Sequence, residues 1–334
     1  MTIARNDGRP VAGPCRSRML AGMTAPRTSR SLSLTDMGLL LFLGAVWGGA
    51  FLFFRVAAPE VGAIWTAEIR LAIGATVLLA FAGRRALAVV RTRLRDFLIV
   101  GATFSALPFS LLAFASLTLP AGFGALLNAS TPLFTALLGV AFLSQSLSPR
   151  MIGGLAAGVV AVFVLVGWSP MEPGPGLFSA VVAALGAATS YAFAGTYVRR
   201  RLHDVGGLEL GTGQLAFGAV VLLPFAIASG APGMPSPAGV ASLLGVGVIS
   251  TALAWPIFFR VLSRTTPTVA STVTFIVPAF AILWGGLFLA EPVGPELVAG
   301  FGLILVSLAL VLGLRLPTPA FAARWRTRPL AAAA

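Results

Sequence analysis

The fold class this sequence predicts is an all-α integral membrane protein, with ten transmembrane helices arranged as two inverted five-helix repeats. Three observations predict it. The 334 residues are 57% hydrophobic and only 10% charged, with a mean hydropathy of +0.96, whereas soluble domains carry about a quarter of their residues charged. The apolar residues come in blocks of roughly 17 to 25, enough to cross about 30 Å of hydrocarbon as helix and too long for the ten-residue alternations of a barrel. The sequence also repeats upon itself, with an odd number of blocks in each copy.

Residues 1–35 hold Arg5, Arg9, Arg16, Arg18, Arg27 and Arg30 among small and polar residues and read as a disordered basic cytoplasmic tail. Met19, Met23 and Met37 are alternative starts, and no cleavable signal peptide is evident. Cys15 is the single cysteine, so no intramolecular disulfide forms. Spans are expected near 37–56, 64–82, 97–117, 121–144 and 151–168, the first repeat being 36–168. A second set follows near 176–196, 208–229, 238–262, 267–289 and 296–314, the second repeat being 176–314 with a tail at 315–334. Loops after even-numbered spans carry Arg84, Arg85, Arg150, Arg199, Arg200, Arg201 and Arg264. Loops after odd-numbered spans carry no arginine, but hold Glu60, Glu172 and Glu291. The positive-inside rule therefore places both termini in the cytoplasm.

The net charge of +13 does not signal nucleic acid, because the arginines sit in short clusters between apolar blocks. All 23 basic residues are arginine, which with abundant Ala, Gly and Pro suggests a GC-rich bacterial gene and hence an inner-membrane location.

A shift of 146 positions lays "TVTFIVPAFAILWGGLFLAEPVGP" (272–295) on "LLNASTPLFTALLGVAFLSQSLSP" (126–149). Pro132 meets Pro278, Gln145 meets Glu291 and Pro149 meets Pro295. A shift of 144 matches "RLAIGATVLLAFA" (70–82) to "QLAFGAVVLLPFA" (214–226) with nine identities in thirteen. Because five is odd, the second copy enters the bilayer upside down, as in many secondary transporters. A proline within a helix frees a carbonyl, which is tolerated beside a watery cavity. Pro132 and Pro278 thus read as matched kinks bordering such a cavity, or as ordinary packing prolines. Pro149 and Pro295 suit first helical turns.

Together with the "GAVWGGAFLFFRVA…EIRLAIGA" opening and the proline-to-"FL"-to-proline segment closing each copy, this duplication resembles the EamA group of the drug/metabolite transporter superfamily over about residues 38–314. The resemblance implies a ten-helix inverted-repeat carrier exporting amino acids, other small metabolites or toxic compounds. One departure is visible, since the acidic residue closing the family's fourth helix is Gln145 in the first copy and Glu291 in the second.

At helical spacing, Asn128, Thr131, Pro132 and Thr135 share a face of span four, and Ser271, Thr274 and Pro278 a face of span nine. The repeat pairs Ser105 with Thr251 and Phe109 with Trp255 on spans three and eight. These residues make a candidate cavity wall, polar enough for a zwitterion and aromatic enough for an apolar group. The alternative is that such Ser, Thr and Asn side chains glue helices together. Trp47 and Tyr191, near mid-membrane in spans one and six, join the wall because aromatic belts lie at span ends. Arg70 is expected to hold a substrate carboxylate, to partner a proline-freed carbonyl, or to snorkel to the headgroups. Its mate Gln214 makes the site asymmetric. Arg55 and Arg260 read as interfacial. Gly154, Gly158, Gly300 and Gly302 fit helix packing or a homodimer contact.

The expected partners are a small-molecule substrate and membrane lipid. Neither cofactor nor metal is expected, and no enzyme activity. The chain contains no lysine and so no phosphate-binding "GxxxxGK[ST]" loop, its single histidine, His203, lies in an arginine-rich loop, and no HExxH occurs. A scaffold or receptor, and less well an intramembrane enzyme, stand as alternatives to a transporter. Glu68 is the acidic residue plainly within a span, so proton coupling and facilitated diffusion both stay open.

Overall fold

The computed structural model describes residues 33–143, 148–168, 171, 173–264 and 272–312. Gln145, Glu172, Ser271, Cys15 and nearly all of both tails lie outside the described residues. Those described are almost entirely helical, with no strand.

Helix α1 (Leu34–Val61) starts at Ser33, whose hydroxyl accepts the Asp36 amide at 3.1 Å, and stops at Gly62, whose φ of 89° no side-chain-bearing residue adopts cheaply. Helix α2 (Ala63–Thr92) follows at once and runs past the expected end of its span, through a break at Gly83 with φ 66°. Further along come α3 (Leu94–Ala115), α4 (Ala121–Phe142), α5 (Pro149–Gly167), α6 (Pro175–Arg201), α7 (Gly207–Ala228) and α8 (Pro237–Val261). Among the described residues eight helices, α1 to α8, are long and apolar enough to cross a membrane, while α9 (Val273–Leu289) and α10 (Pro295–Val311) are apolar but shorter, at 17 residues each. Pro149 and Pro295 open their helices as expected.

Two of the expected details differ. The matched prolines are not matched kinks, because α4 is interrupted between Asn128 and Thr131 whereas Pro278 sits inside continuous α9. At the interruption the Thr131 hydroxyl donates to the Asn128 carbonyl at 2.7 Å. Pro132 follows this turn, so its missing N–H leaves no helical bond unmade. The second difference is a widening to π-helical turns in the third helix of each copy, at Gly101–Ala106 and Gly245–Leu253, the second starting 144 residues after the first.

Packing follows the duplication. Helix α1 lies on α8 and α9, and α6 on α3 and α4; α2 packs on α7, and α5 on α10. Exchanging the copies maps this set onto itself. The main apolar core draws Phe51, Phe54, Leu71, Leu78, Phe109, Leu112 and Leu215 from both copies.

The small-residue positions of α5 and α10 serve this intramolecular contact. A Cβ at Gly154 would sit 2.9 Å from the Ser307 carbonyl, and one at Gly300 would collide with the Leu165 side chain, while Gly302 faces open space. Ser307 donates to the Gly154 carbonyl at 2.6 Å. Gly154→Val is expected to lower the melting temperature of the detergent-solubilised protein, overpacking costing about 1 to 3 kcal/mol, and Gly302→Ala to leave it unchanged. Thermal unfolding of the two variants side by side checks this.

Candidate functional site

Between the two copies lies a cavity of about 400 Å³. Helix α1 contributes Trp47, Phe51 and Phe54, spaced four and three residues apart and therefore on one face. Helix α3 adds Phe104 and Phe109, α6 adds Tyr191, and α8 adds Trp255 and Phe258. The rings form a connected cage. Trp47 meets Trp255 at 6.0 Å and Phe258 at 5.4 Å, while Phe104 meets Tyr191 at 5.6 Å and Trp255 at 6.1 Å, mostly edge to face or tilted. The Trp47 indole N–H donates to the Ser250 carbonyl at 3.2 Å, which fixes its orientation.

One cation enters this apolar setting. Arg70 is 6% exposed, and its guanidinium carbon lies 3.7 Å from the centre of the Phe109 ring and 5.2 Å from that of Phe54. Its Nε donates to the Thr251 hydroxyl at 2.9 Å, and Thr251 in turn donates to the Val246 carbonyl, five residues back in the π-helical turn, at 2.8 Å. Among the described residues no carboxylate pairs with Arg70 and no hydrogen bond reaches its terminal nitrogens. Of the three fates expected for Arg70, snorkelling and a carbonyl partner are not what the geometry shows. A buried charge costs several kcal/mol, and ring faces recover only about 2 kcal/mol each. Arg70 is therefore a buried cation whose charge no group among the described residues balances.

Polar lining comes from Asn128, Thr131 and Thr274. The Asn128 side-chain oxygen is buried and accepts no hydrogen bond among the described residues. No group of three or more His, Cys, Asp and Glu among the described residues could hold a metal ion.

Ten of the residues singled out from sequence line the cavity, namely Trp47, Arg70, Phe109, Asn128, Thr131, Pro132, Tyr191, Trp255, Thr274 and Pro278. Ser271 lies outside the described residues. Ser105, Gln214 and Thr251 do not line it. Each is buried, at 0 to 1% exposure, and Thr251 acts one layer back by holding Arg70. Ser105 and Thr251 lie in the two π-helical turns, where the wider turn rotates side chains away from the face that a 3.6-residue period assigns them. The side-chain polar atoms of Ser105 and Gln214 have no hydrogen-bond partner among the described residues. Sequence reasoning missed Phe51, Phe54, Phe104 and Phe258. The first two were signalled by their spacing from Trp47.

Arg55 is not merely interfacial. It pairs with Glu291 at 3.2 Å and donates to the Ser116 and Leu117 carbonyls at 3.0 and 3.2 Å. Away from the spans, Asp204 is held below the usual carboxylate range, by its own backbone N–H first and then by Arg93, which it meets at 2.6 Å.

Residues 36–167 and 178–313 match the EamA-like transporter family. The chain is 27% identical over 281 residues to the uncharacterized transporter YvbV of Bacillus subtilis, covering 82% of this chain and 90% of that one. It is 26% identical over 280 residues to a probable terminal-alkyne amino-acid exporter of Streptantibioticus cattleyicolor, covering 81% and 91%. One solved crystal structure shares the fold with a TM-score of 0.59 at 16% identity, over 88% of this chain and 99% of that chain.

Proposed function

Because the chain belongs to the EamA-like transporter family, we propose that it is a secondary transporter exporting an amino acid, or a related small metabolite or drug, through the central cavity. In this reading the two copies are inverted five-helix repeats, ten spans in all, in the inner membrane with both termini in the cytoplasm, and they alternate access by rocking about the bound solute. The single observation that carries it is an unpaired, buried arginine in an aromatic cavity drawn from equivalent helices of both copies. Arg70 holds a carboxylate through its free N–H fork, Asn128 accepts from a donor on the solute, and Trp47, Phe109, Tyr191 and Trp255 enclose its apolar part. The name of the Streptantibioticus relative supports the amino-acid class.

Counterflow in liposomes tests the reading. Protein preloaded with an unlabelled carboxylate-bearing metabolite is expected to accumulate the labelled form, and no flux for any member of a metabolite library would leave a scaffold or receptor standing. With a transported solute in hand, Asn128→Ala is expected to raise its KM about three- to tenfold, the worth of one hydrogen bond, with kcat little changed.

A further inference from the structure

We infer that Arg55 and Glu291 form a gate, a charged latch that holds one end of the cavity shut and whose carboxylate the repeat does not keep at the opposite end; the inference rests on the transport reading above.

Arg55 belongs to α1 in the first copy and Glu291 follows α9 in the second, so their 3.2 Å ion pair crosses between copies. The same arginine donates to the Ser116 and Leu117 carbonyls at the end of α3. The same carboxylate accepts the Ala121 N–H, at the first residue of α4, at 2.8 Å. Two side chains thus tie four helix ends together. The Glu291 side chain is 13% exposed, which shields these charge-assisted bonds from water. The backbone is bent to suit. Ala290, the one non-glycine with positive φ among the described residues, is left-handed at 53° and turns the chain so that the Glu291 amide bonds back to the Gly285 carbonyl. A Cβ at Gly285 would meet the Glu291 carboxylate and push it aside.

The repeat shows what is missing at the other end. Arg55 maps onto Arg199 by the shift of 144, but Glu291 maps onto Gln145 by the shift of 146, so the arginine is kept and the carboxylate is not. Packing agrees. Helix α1 lies against α3 and α4, whereas its mate α6 has no comparable packing on α8 or α9 among the described residues. Opening at the Glu291 end must break the latch, whereas the inter-copy ion pairs at the arginine-rich end, Arg93 with Asp204 and Arg201 with Asp96, are more exposed and so hold less firmly. The empty carrier is therefore biased to face the arginine-rich loops, which suits loading from the cytoplasm.

The test reads opening without any solute. In a Cys15→Ala background, Val277→Cys supplies a thiol on the cavity wall, and a membrane-impermeant maleimide is applied to whole cells or to inverted vesicles. Labelling from the outside is expected to be slow compared with labelling from the inside. Glu291→Gln, which removes the charge, and Gly285→Ala, which displaces the carboxylate, are each expected to raise the outside rate about tenfold. Arg93→Gln, which breaks the exposed ion pair at the arginine-rich end, is expected not to raise it. Equal rates from the two sides in the parent, or an outside rate unmoved by either gate variant, would overturn the inference, and the comparison of sides in the parent stands even where a variant fails to accumulate. Absence of flux for every solute would count against the transport reading alone.

Discussion

Replacing Arg70 with alanine is expected to lower counterflow about a hundredfold or more, while Arg260→Ala at matched expression leaves it within about twofold. Truncating one partner of a desolvated charge pair costs about 2 to 5 kcal/mol, and each 1.4 kcal/mol is about a factor of ten. Arg260 sits on the exposed side of α8 and does not line the cavity. Lysine is not expected to substitute, since a compact ammonium reproduces neither the fork of donors nor the stacking 3.7 Å from the centre of Phe109. A second readout separates a binding role from a structural one. With no carboxylate beside it among the described residues, Arg70 is a cost to the empty fold, so Arg70→Met is expected to raise the melting temperature while abolishing transport. A fall in melting temperature together with the loss of flux would make Arg70 a packing residue.

The other large effect is expected at Gly101. A Cβ there would lie 2.6 Å from the Gly218 nitrogen and 2.8 Å from the Phe217 carbonyl carbon, both backbone atoms of α7 that no rotamer change can move. Gly101→Ala forces the third helix of one copy off the second helix of the other, at the start of the π-helical turn. Overpacking costs about 1 to 3 kcal/mol even where side chains can yield, and backbone yields less. The variant is expected to lose most of its monodisperse yield in detergent. Its repeat mate supplies the control. At Gly245 the nearest atoms belong to the Phe53 ring, from 2.7 Å outward, and a ring can swing aside. Gly245→Ala is expected to accumulate normally, and size-exclusion profiles of the two variants decide between these outcomes.

Sequence carried the architecture further than the site. Length of apolar blocks and the offset of the repeat place the helices, because both follow from bilayer thickness and helix rise. The same offset found Asn128 with Thr274, Pro132 with Pro278, and Phe109 with Trp255, all of which line the cavity. It failed where the backbone departs from 3.6 residues per turn. Ser105 and Thr251 were assigned to the wall by the repeat pairing but lie in π-helical turns, and nothing in "GATFSA" or "GVGVISTAL" announces a wider turn. It also failed for Arg55, whose partner lies 236 residues away and is joined to it only by the fold. Arg70 was flagged for the right reason, the cost of its burial, but Thr251 and the rings that hold it come from three other helices.

The most direct test of the account uses two positions that the repeat makes equivalent. Val90, in the last turn of α2, and Met234, between α7 and α8, differ by the shift of 144. In a Cys15→Ala background, Val90→Cys and Met234→Cys are each labelled on intact cells with an impermeant maleimide, before and after permeabilisation. Two inverted copies around a shared cavity predict that Met234→Cys is labelled from outside and Val90→Cys only after permeabilisation. Labelling of both from the same side would contradict the inversion and remove the carrier built on it.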